Sequence, residues 1–206
     1  MKTLKACTLL QSIFPLFKQE GRSTTGINKI RISNLAKNSK PVSQSQLEQI
    51  LEKHFDFLSA GGAGGEWQTI LVKGLVLGLY NTTFEVKDGE QATFERANLS
   101  KVEMANREMP FANFCGVYKE EGDFQNTNLS YCLFTDSFLE GADFRSANLQ
   151  NADFSRANLR FANFQNANLQ GVDFENCDLS GADFRNANLF NSRFPGANLE
   201  NVLHSF

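Results

Sequence analysis

Histidine is almost missing from this 206-residue chain, occurring only at His54 and His204, and the four cysteines, Cys7, Cys115, Cys132 and Cys177, include no CxxC pair. That scarcity argues against a zinc site and against a disulfide framework. A reduced, cytoplasmic compartment is the expected location. Long apolar runs are missing as well. The N-terminal MKTLKACTLLQSIFPLFK holds only a short one, broken by Lys5, with no small-x-small cleavage site after it. It falls well below the roughly 18 apolar residues of a membrane span, so it reads as an uncleaved N-terminal helix. The sequence AGGAGGEW, from Ala60 to Trp67, is glycine-rich but lacks the lysine and Ser/Thr of a phosphate-binding loop, and reads as a hinge. Carboxylates recur at regular intervals and do not converge beside a nucleophile. The chain is therefore expected not to be an enzyme, with no catalytic residue, cofactor or metal.

Charge is unevenly divided. Residues 1–81 carry 10 Lys+Arg against 5 Asp+Glu, and residues 82–206 carry 10 against 18. A basic head thus precedes an acidic body, and the acidic body disfavours direct nucleic-acid binding. Within the head, PVSQSQLEQILEKHFDFLSAGG places Ser45 three residues before Glu48, a capping-box spacing. Leu47, Ile50, Leu51, His54, Phe55 and Leu58 follow at helical intervals, with Gly61 and Gly62 as the stop. His54 lies on that stripe and reads as a partly buried packing residue. The segment ILVKGLVLGLY alternates apolar residues like a strand.

Beyond the head the chain repeats every five residues. From Phe124 to Leu199, sixteen consecutive positions ending in 4 or 9 alternate Phe with Leu, and the residue two before each is Gly, Ala, Ser, Thr, Cys or Val. Phe84, Phe94, Leu99, Met104, Met109 and Phe114 extend the register backwards, with Gly89 and Lys119 as exceptions. Five residues turn an α-helix through about 500°, so no common face could form. On a straight strand an odd period flips alternate repeats across the sheet. A short extended step followed by a corner satisfies the period, and winds the chain into a flat-sided solenoid with turns about 4.8 Å apart. Parity then fixes the number of sides. With an even number Phe stacks on Phe, and four sides of twenty residues is the smallest even closed shape.

The ADF and ANL units, from GADFRSANLQNADF onward, resemble the A(D/N)LXX signature of the pentapeptide-repeat family over about residues 77–203. The resemblance implies an all-β repeat solenoid, a right-handed quadrilateral β-helix of about six turns, here preceded by a small, mainly helical N-terminal region. The expected organisation is a head and hinge over 1–76, the β-helix over 77–203 and a tail over 204–206.

Twenty residues per turn also predicts the outer surface. Asn128, Asn148, Asn168 and Asn188 form one column, expected to be a structural amide ladder. Glu103, Asp123, Asp143, Asn163 and Asp183 form another, whose carboxylates are expected to accept corner N–H bonds. Cys132 and Cys177 fall at inward positions and Cys115 at an outward one. Arg107 and Lys119 stand where inward residues belong, and burying an unpaired charge is costly, so these side chains are expected to escape to water or to distort that side. Phe111 with Tyr131, and Tyr118 with Phe138, form outward aromatic pairs: a candidate interaction patch, or the surface on which the head packs.

Functionally, these features fit a non-enzymatic binding or scaffold protein presenting a rigid surface to an unidentified protein partner. The open last turn suggests a homodimer through the C-terminal end. Resemblance supplies the alternative of a DNA-mimicking regulator or protector of a DNA topoisomerase, gyrase. A DNA mimic should be acidic along its length, yet residues 141–200 carry only 7 Asp+Glu against 5 Arg, while 82–140 carry 11 against 5.

Overall fold

The computed structural model describes residues 37–59, 66–72, 75–81, 91–95, 97–100 and 102–204. The N-terminal helix, the glycine-rich hinge and the register positions Phe84 and Gly89 lie outside them. Among the described residues no helix is long and apolar enough to cross a membrane.

The head contributes a helix, α1 (Gln44–Phe57), and an antiparallel pair of strands, β1 (Glu66–Val72) and β2 (Leu75–Asn81), in register from Glu66↔Asn81 to Val72↔Leu75. Strand β2 straddles the expected domain boundary at residue 77. Helix α1 begins two residues earlier than the sequence suggests. Ser43 is its N-cap, accepting from the Gln46 N–H, while the Gln46 side chain accepts from the Ser43 N–H. Its buried stripe is Leu47, His54 and Phe57, with Ile50 and Leu51 packed beside the core; Phe55, expected on that stripe, is 69% exposed. Phe55 lies on the opposite flank of the Leu47–His54 line from Ile50 and Phe57, and the helix is rolled toward the latter two.

Beyond the head the chain is a four-sided β-helix. Parallel rungs join residues twenty apart, from Thr93↔Asn113 to Asp183↔Leu203. Each repeat uses one bond to close its corner, as in Ala142 N–H to Leu139 C=O at 3.0 Å. Three more join the adjacent turns, as in Gly141 N–H to Arg160 C=O, Phe144 N–H to Asn163 C=O and Asp143 N–H to Gly122 C=O, all 2.8 Å. Every corner holds one residue in the left-handed region, at positions ending in 1 or 6, with φ between 51° and 71° from Asn106 to Asn201. Side chains other than Gly and Asn are disfavoured there. Thirteen of those twenty corners are Gly or Asn, which explains why the repeats are rich in both.

The interior bears out the parity reading. Phe114, Phe134, Phe154, Phe174 and Phe194 stack up one side, and Phe124, Phe144, Phe164 and Phe184 up the opposite one, with ring centroids 4.6–5.5 Å apart. The two stacks meet edge to face across the axis, for example Phe144 on Phe154 at 5.7 Å and 83°. Such pairs add about 0.5–1.5 kcal/mol each beyond area burial. Leucines fill the remaining two sides, and the small residues beneath the corners are buried with them.

Candidate interaction surfaces

The first described turn, residues 92–110, would carry unpaired backbone groups at its N-terminal edge if it stood alone. The head supplies them. Val42 N–H donates to Asn98 C=O at 2.9 Å, and Gln44 Oε1 accepts from Glu103 N–H at 3.0 Å. The Asn98 side-chain amide donates to Lys37 C=O and Ser39 C=O, and Arg107 reaches Glu48 at 2.7 Å. These groups stand where the bonds of a preceding turn would fall. Arg107 thus leaves the interior by pairing with α1.

His54 completes this cap. It is fully buried, stacked on Phe57 with centroids 5.6 Å apart, and bonded through both ring nitrogens. Ala92 N–H can only donate, so Nδ1, 3.0 Å away, must accept; Pro110 C=O can only accept, so Nε2, 2.8 Å away, must donate. The ring is therefore held as the neutral Nε2–H tautomer. Burial lowers its pKa below 6.5, opposed by the bond to Pro110.

Lys119 takes the other of the two expected courses: it does not escape to water but distorts its side of the β-helix. It occupies a central leucine position and is 4% exposed, with Nζ donating to Val102 C=O at 2.7 Å and Leu99 C=O at 3.1 Å. Burial lowers its pKa to about 8, with Asp123 opposing. In the regular pattern Val102 C=O would accept from Asp123 N–H, and residues 103 and 123 would form a rung. That rung is absent from an otherwise continuous series on this side. Gly122 makes room for the side chain, since a Cβ there would lie 2.5 Å from Lys119 Cγ. The wedge opens a crevice of about 540 Å³ lined by Glu103, Met104, Arg107, Glu121 and Asp123.

The four aromatics fall on two separate surfaces. Phe111 and Tyr131 stack at one corner with centroids 4.9 Å apart; Phe111 is buried and Tyr131 is 39% exposed. Tyr118 and Phe138 form a rung on a different side, one corner beyond the side that adjoins Phe111, both half-buried. Lys37 of the head lies 5.4 Å over the Tyr118 ring, and the Tyr118 hydroxyl donates to Glu120 at 2.8 Å. Cys115, placed outward by sequence, is nonetheless buried, and Cys132 donates its S–H to Met109 C=O at 3.0 Å while burial pushes its thiol pKa up.

The outer ladders are structural. Asn188, Asn168 and Asn148 each donate to the Oδ1 of the asparagine one turn below at 3.0–3.2 Å, and Asn128 donates to Glu108 at 2.8 Å. Asp143 and Asp183 accept from the backbone N–H of Arg145 and Arg185 and pair with those guanidiniums at 2.6 and 2.7 Å. The Arg185 bonds hold the Asp183 carboxyl below its usual range despite desolvation.

Residues 127–203 match the family described as pentapeptide repeat region. No curated protein matches the chain. Among solved structures it is similar to a pentapeptide repeat protein from the Arabidopsis thaliana thylakoid lumen, at 31% identity over 48% of this chain and 66% of that one, with a TM-score of 0.39. It is also similar to HetL, a pentapeptide repeat protein involved in heterocyst differentiation regulation from the cyanobacterium Nostoc, at 25% identity over 47% and 41% of the two chains, with a TM-score of 0.46. The chain spans just under two thirds of the first and about two fifths of the second. QnrB1, a plasmid-mediated fluoroquinolone resistance protein, is 17% identical over 56% of this chain and 86% of its own, with a TM-score of 0.22. Residues 127–203, whose A(D/N)LXX units run in unbroken register and close into twenty-residue turns beneath a separate head, are a pentapeptide repeat region.

Proposed function

We propose that this protein is a non-enzymatic scaffold: a rigid four-sided rod, sealed at its N-terminal end by its own head, that presents its outer surface to a protein partner. The division of chemistry within the fold is the observation that supports this best. His54, Lys119 and Cys132 are all consumed in backbone hydrogen bonds, and Asp143 and Asp183 in their own corners and arginines. What the rod offers outward is side chains held at rung spacing, including Tyr131, Tyr118 and Phe138. Cys132 and Cys177 each donate an S–H to a backbone carbonyl, and buried thiols of this kind suit a reducing compartment such as the cytoplasm.

Photocrosslinking residues placed at Tyr131 and at Phe138 in the intact protein, in its own cell, test the reading. One discrete protein should be trapped and then lost in Tyr131→Glu or Phe138→Glu. Recovery of only diffuse background at both positions refutes it. The gyrase reading loses support from the arginine pairs of Asp136, Asp143, Asp173 and Asp183, which interrupt an anionic surface along the rod. Salt-sensitive inhibition of gyrase supercoiling at low protein concentration would reinstate it. We further propose end-to-end association through the last described turn, where Leu199 and Leu203 are 47% and 50% exposed.

A further inference from the structure

Left-handed corners point their side chains away from the axis, so a glycine at one corner between two larger neighbours leaves a notch. One such notch combines aromatic walls with acids that accept hydrogen bonds, Glu120 from Tyr118 and Glu140 from Asn158, but form no ion pair among the described residues. In the column Glu121, Gly141, Phe161, Gly181, each residue has φ between 51° and 71°. Gly141 has no side chain to fill its level, with Glu121 one turn below and Phe161 one turn above. Tyr118, Glu120 and Glu140 complete the walls of a space of about 430 Å³. Phe161 is 57% exposed and its ring lies against Gly181, where a Cβ would meet it at 2.5 Å. The ring thus packs over Gly181 and forms one wall of the notch.

None of the ion pairs formed among the described residues includes Glu120, Glu121 or Glu140. The notch also meets the crevice opened by Lys119 at their shared residue Glu121, and that crevice adds Glu103 and Asp123 beside Arg107, which is paired with Glu48, and Lys119, whose ammonium is buried on carbonyls. The chain itself shows what this chemistry attracts. Lys37 sits over the Tyr118 ring, and Tyr118 and Glu120 raise its pKa. Arg160 sits 5.5 Å over the Phe161 ring at the other end. A cation against an aromatic face, with a carboxylate within reach, is favourable even at exposed sites. Between these two occupied positions, Glu121 and Glu140 have no cation of their own among the described residues.

We propose that the Gly141 notch is a docking site for a basic, extended segment of a partner protein, with one lysine or arginine seated between Glu121 and Glu140 against Phe161. This rests on the scaffold reading and names the partner's chemistry. Two turns separate Glu121 from Phe161, about 9.6 Å, so about three residues of extended chain span the notch. A net positive charge on the segment suits the five carboxylates of the notch and adjoining crevice, and excludes acidic segments by like-charge repulsion.

The test uses the intact chain and a fluorescein-labelled octapeptide of alternating glycine and arginine, read by fluorescence anisotropy. Gly141→Asn is the decisive variant. Asparagine holds the same left-handed corner at Asn151, Asn166, Asn176 and Asn186, and a Cβ at Gly141 meets nothing nearer than Glu121 Cγ at 3.4 Å, so the fold tolerates the change while the notch is filled. Gly141→Asn and Glu140→Gln should each weaken binding at least tenfold, whereas Glu175→Gln, at a different corner, should leave it within twofold. Equal binding by all four proteins overturns the proposal, because it marks general attraction to an acidic rod. No binding to the intact chain also overturns it, including the case in which the chain's own basic N-terminal residues fill the notch. Loss of binding in the notch variants with the crosslinked partner of Tyr131 and Phe138 retained would separate the failure of one reading from that of the other.

Discussion

Replacing Lys119 with leucine should stabilise the protein. An ammonium whose pKa falls from 10.5 to about 8 on folding costs about 3 kcal/mol at neutral pH, at about 1.4 kcal/mol per pH unit of displacement. Lys119→Leu removes that cost and restores the leucine stack of Leu99, Leu139, Leu159 and Leu179, each fully buried. Against it stands the loss of the 2.7 Å bond to Val102 C=O, worth about 1–3 kcal/mol if nothing replaces it. Asp123 N–H is placed to replace it, since that is the regular rung bond. The expected net gain is about 2 kcal/mol. Urea unfolding followed by circular dichroism, at pH 7 and at steps up to pH 10.5, measures it. Because the native pKa is the lower one, the unfolded chain binds more protons between about pH 8 and 10.5. Wild-type stability relative to Lys119→Leu should therefore rise through that window and be constant below it. A variant less stable than wild type at pH 7, or a difference that does not change between pH 8 and 10.5, would refute the reasoning.

Gly122→Ala should destabilise the wild type by about 1–3 kcal/mol, because its Cβ meets the Lys119 side chain and, at 2.8 Å, the Lys119 carbonyl oxygen; in a Lys119→Leu background the side-chain part of that cost should vanish in a double-mutant cycle, leaving the backbone part. His54 makes the cap acid-sensitive: its pKa is lowered on folding, so stability is full above about pH 6.5 and falls as pH drops below it, by at most about 1.4 kcal/mol per unit. Hydrogen exchange at Val42 and Ala92, whose N–H groups seal the first turn, should accelerate in that acid range, and the acceleration should be absent in His54→Gln. Finally, Leu203→Glu should convert an end-to-end dimer to a monomer in light scattering at high concentration; a wild-type monomer under the same conditions would dispose of that association.

Most of the β-helix was legible because a single geometric rule is written sixteen times between Phe124 and Leu199. Parity gave an even number of sides, the smallest closed shape of that kind gave four, and the amide ladder followed from counting by twenty. The departures were where one residue satisfies two neighbourhoods. Lys119 was visible as an exception, but its buried seat depends on Gly122 and on a carbonyl that a broken rung set free, neither of which a local pattern states. His54 was visible as a histidine on an apolar stripe; its partners, Ala92 and Pro110, lie 38 and 56 residues away. Phe55 and Ser45 were misplaced by small rotations and shifts of α1, which the docking of that helix onto the first turn decides. The notch at Gly141 has a sequence signal, a glycine twenty residues from both a glutamate and a phenylalanine, but it acquires meaning only once the turn length is known.

The asparagine ladder gives the rod a sense of direction. Each amide in it has its N–H₂ toward the head and its oxygen toward the far end, and the series finishes on Glu108. A carboxylate can only accept, so Asn128 has to donate to it, which turns the oxygen of Asn128 to Asn148, and the same choice passes up to Asn188. Four dipoles are thus aligned by one acidic side chain, reinforced at each level by the backbone N–H two residues on. Although the repeats are nearly interchangeable, the edge they build is electrically polar, and a Glu108→Lys chain, offering donors where the acceptor stood, would set that polarity against itself from its first link.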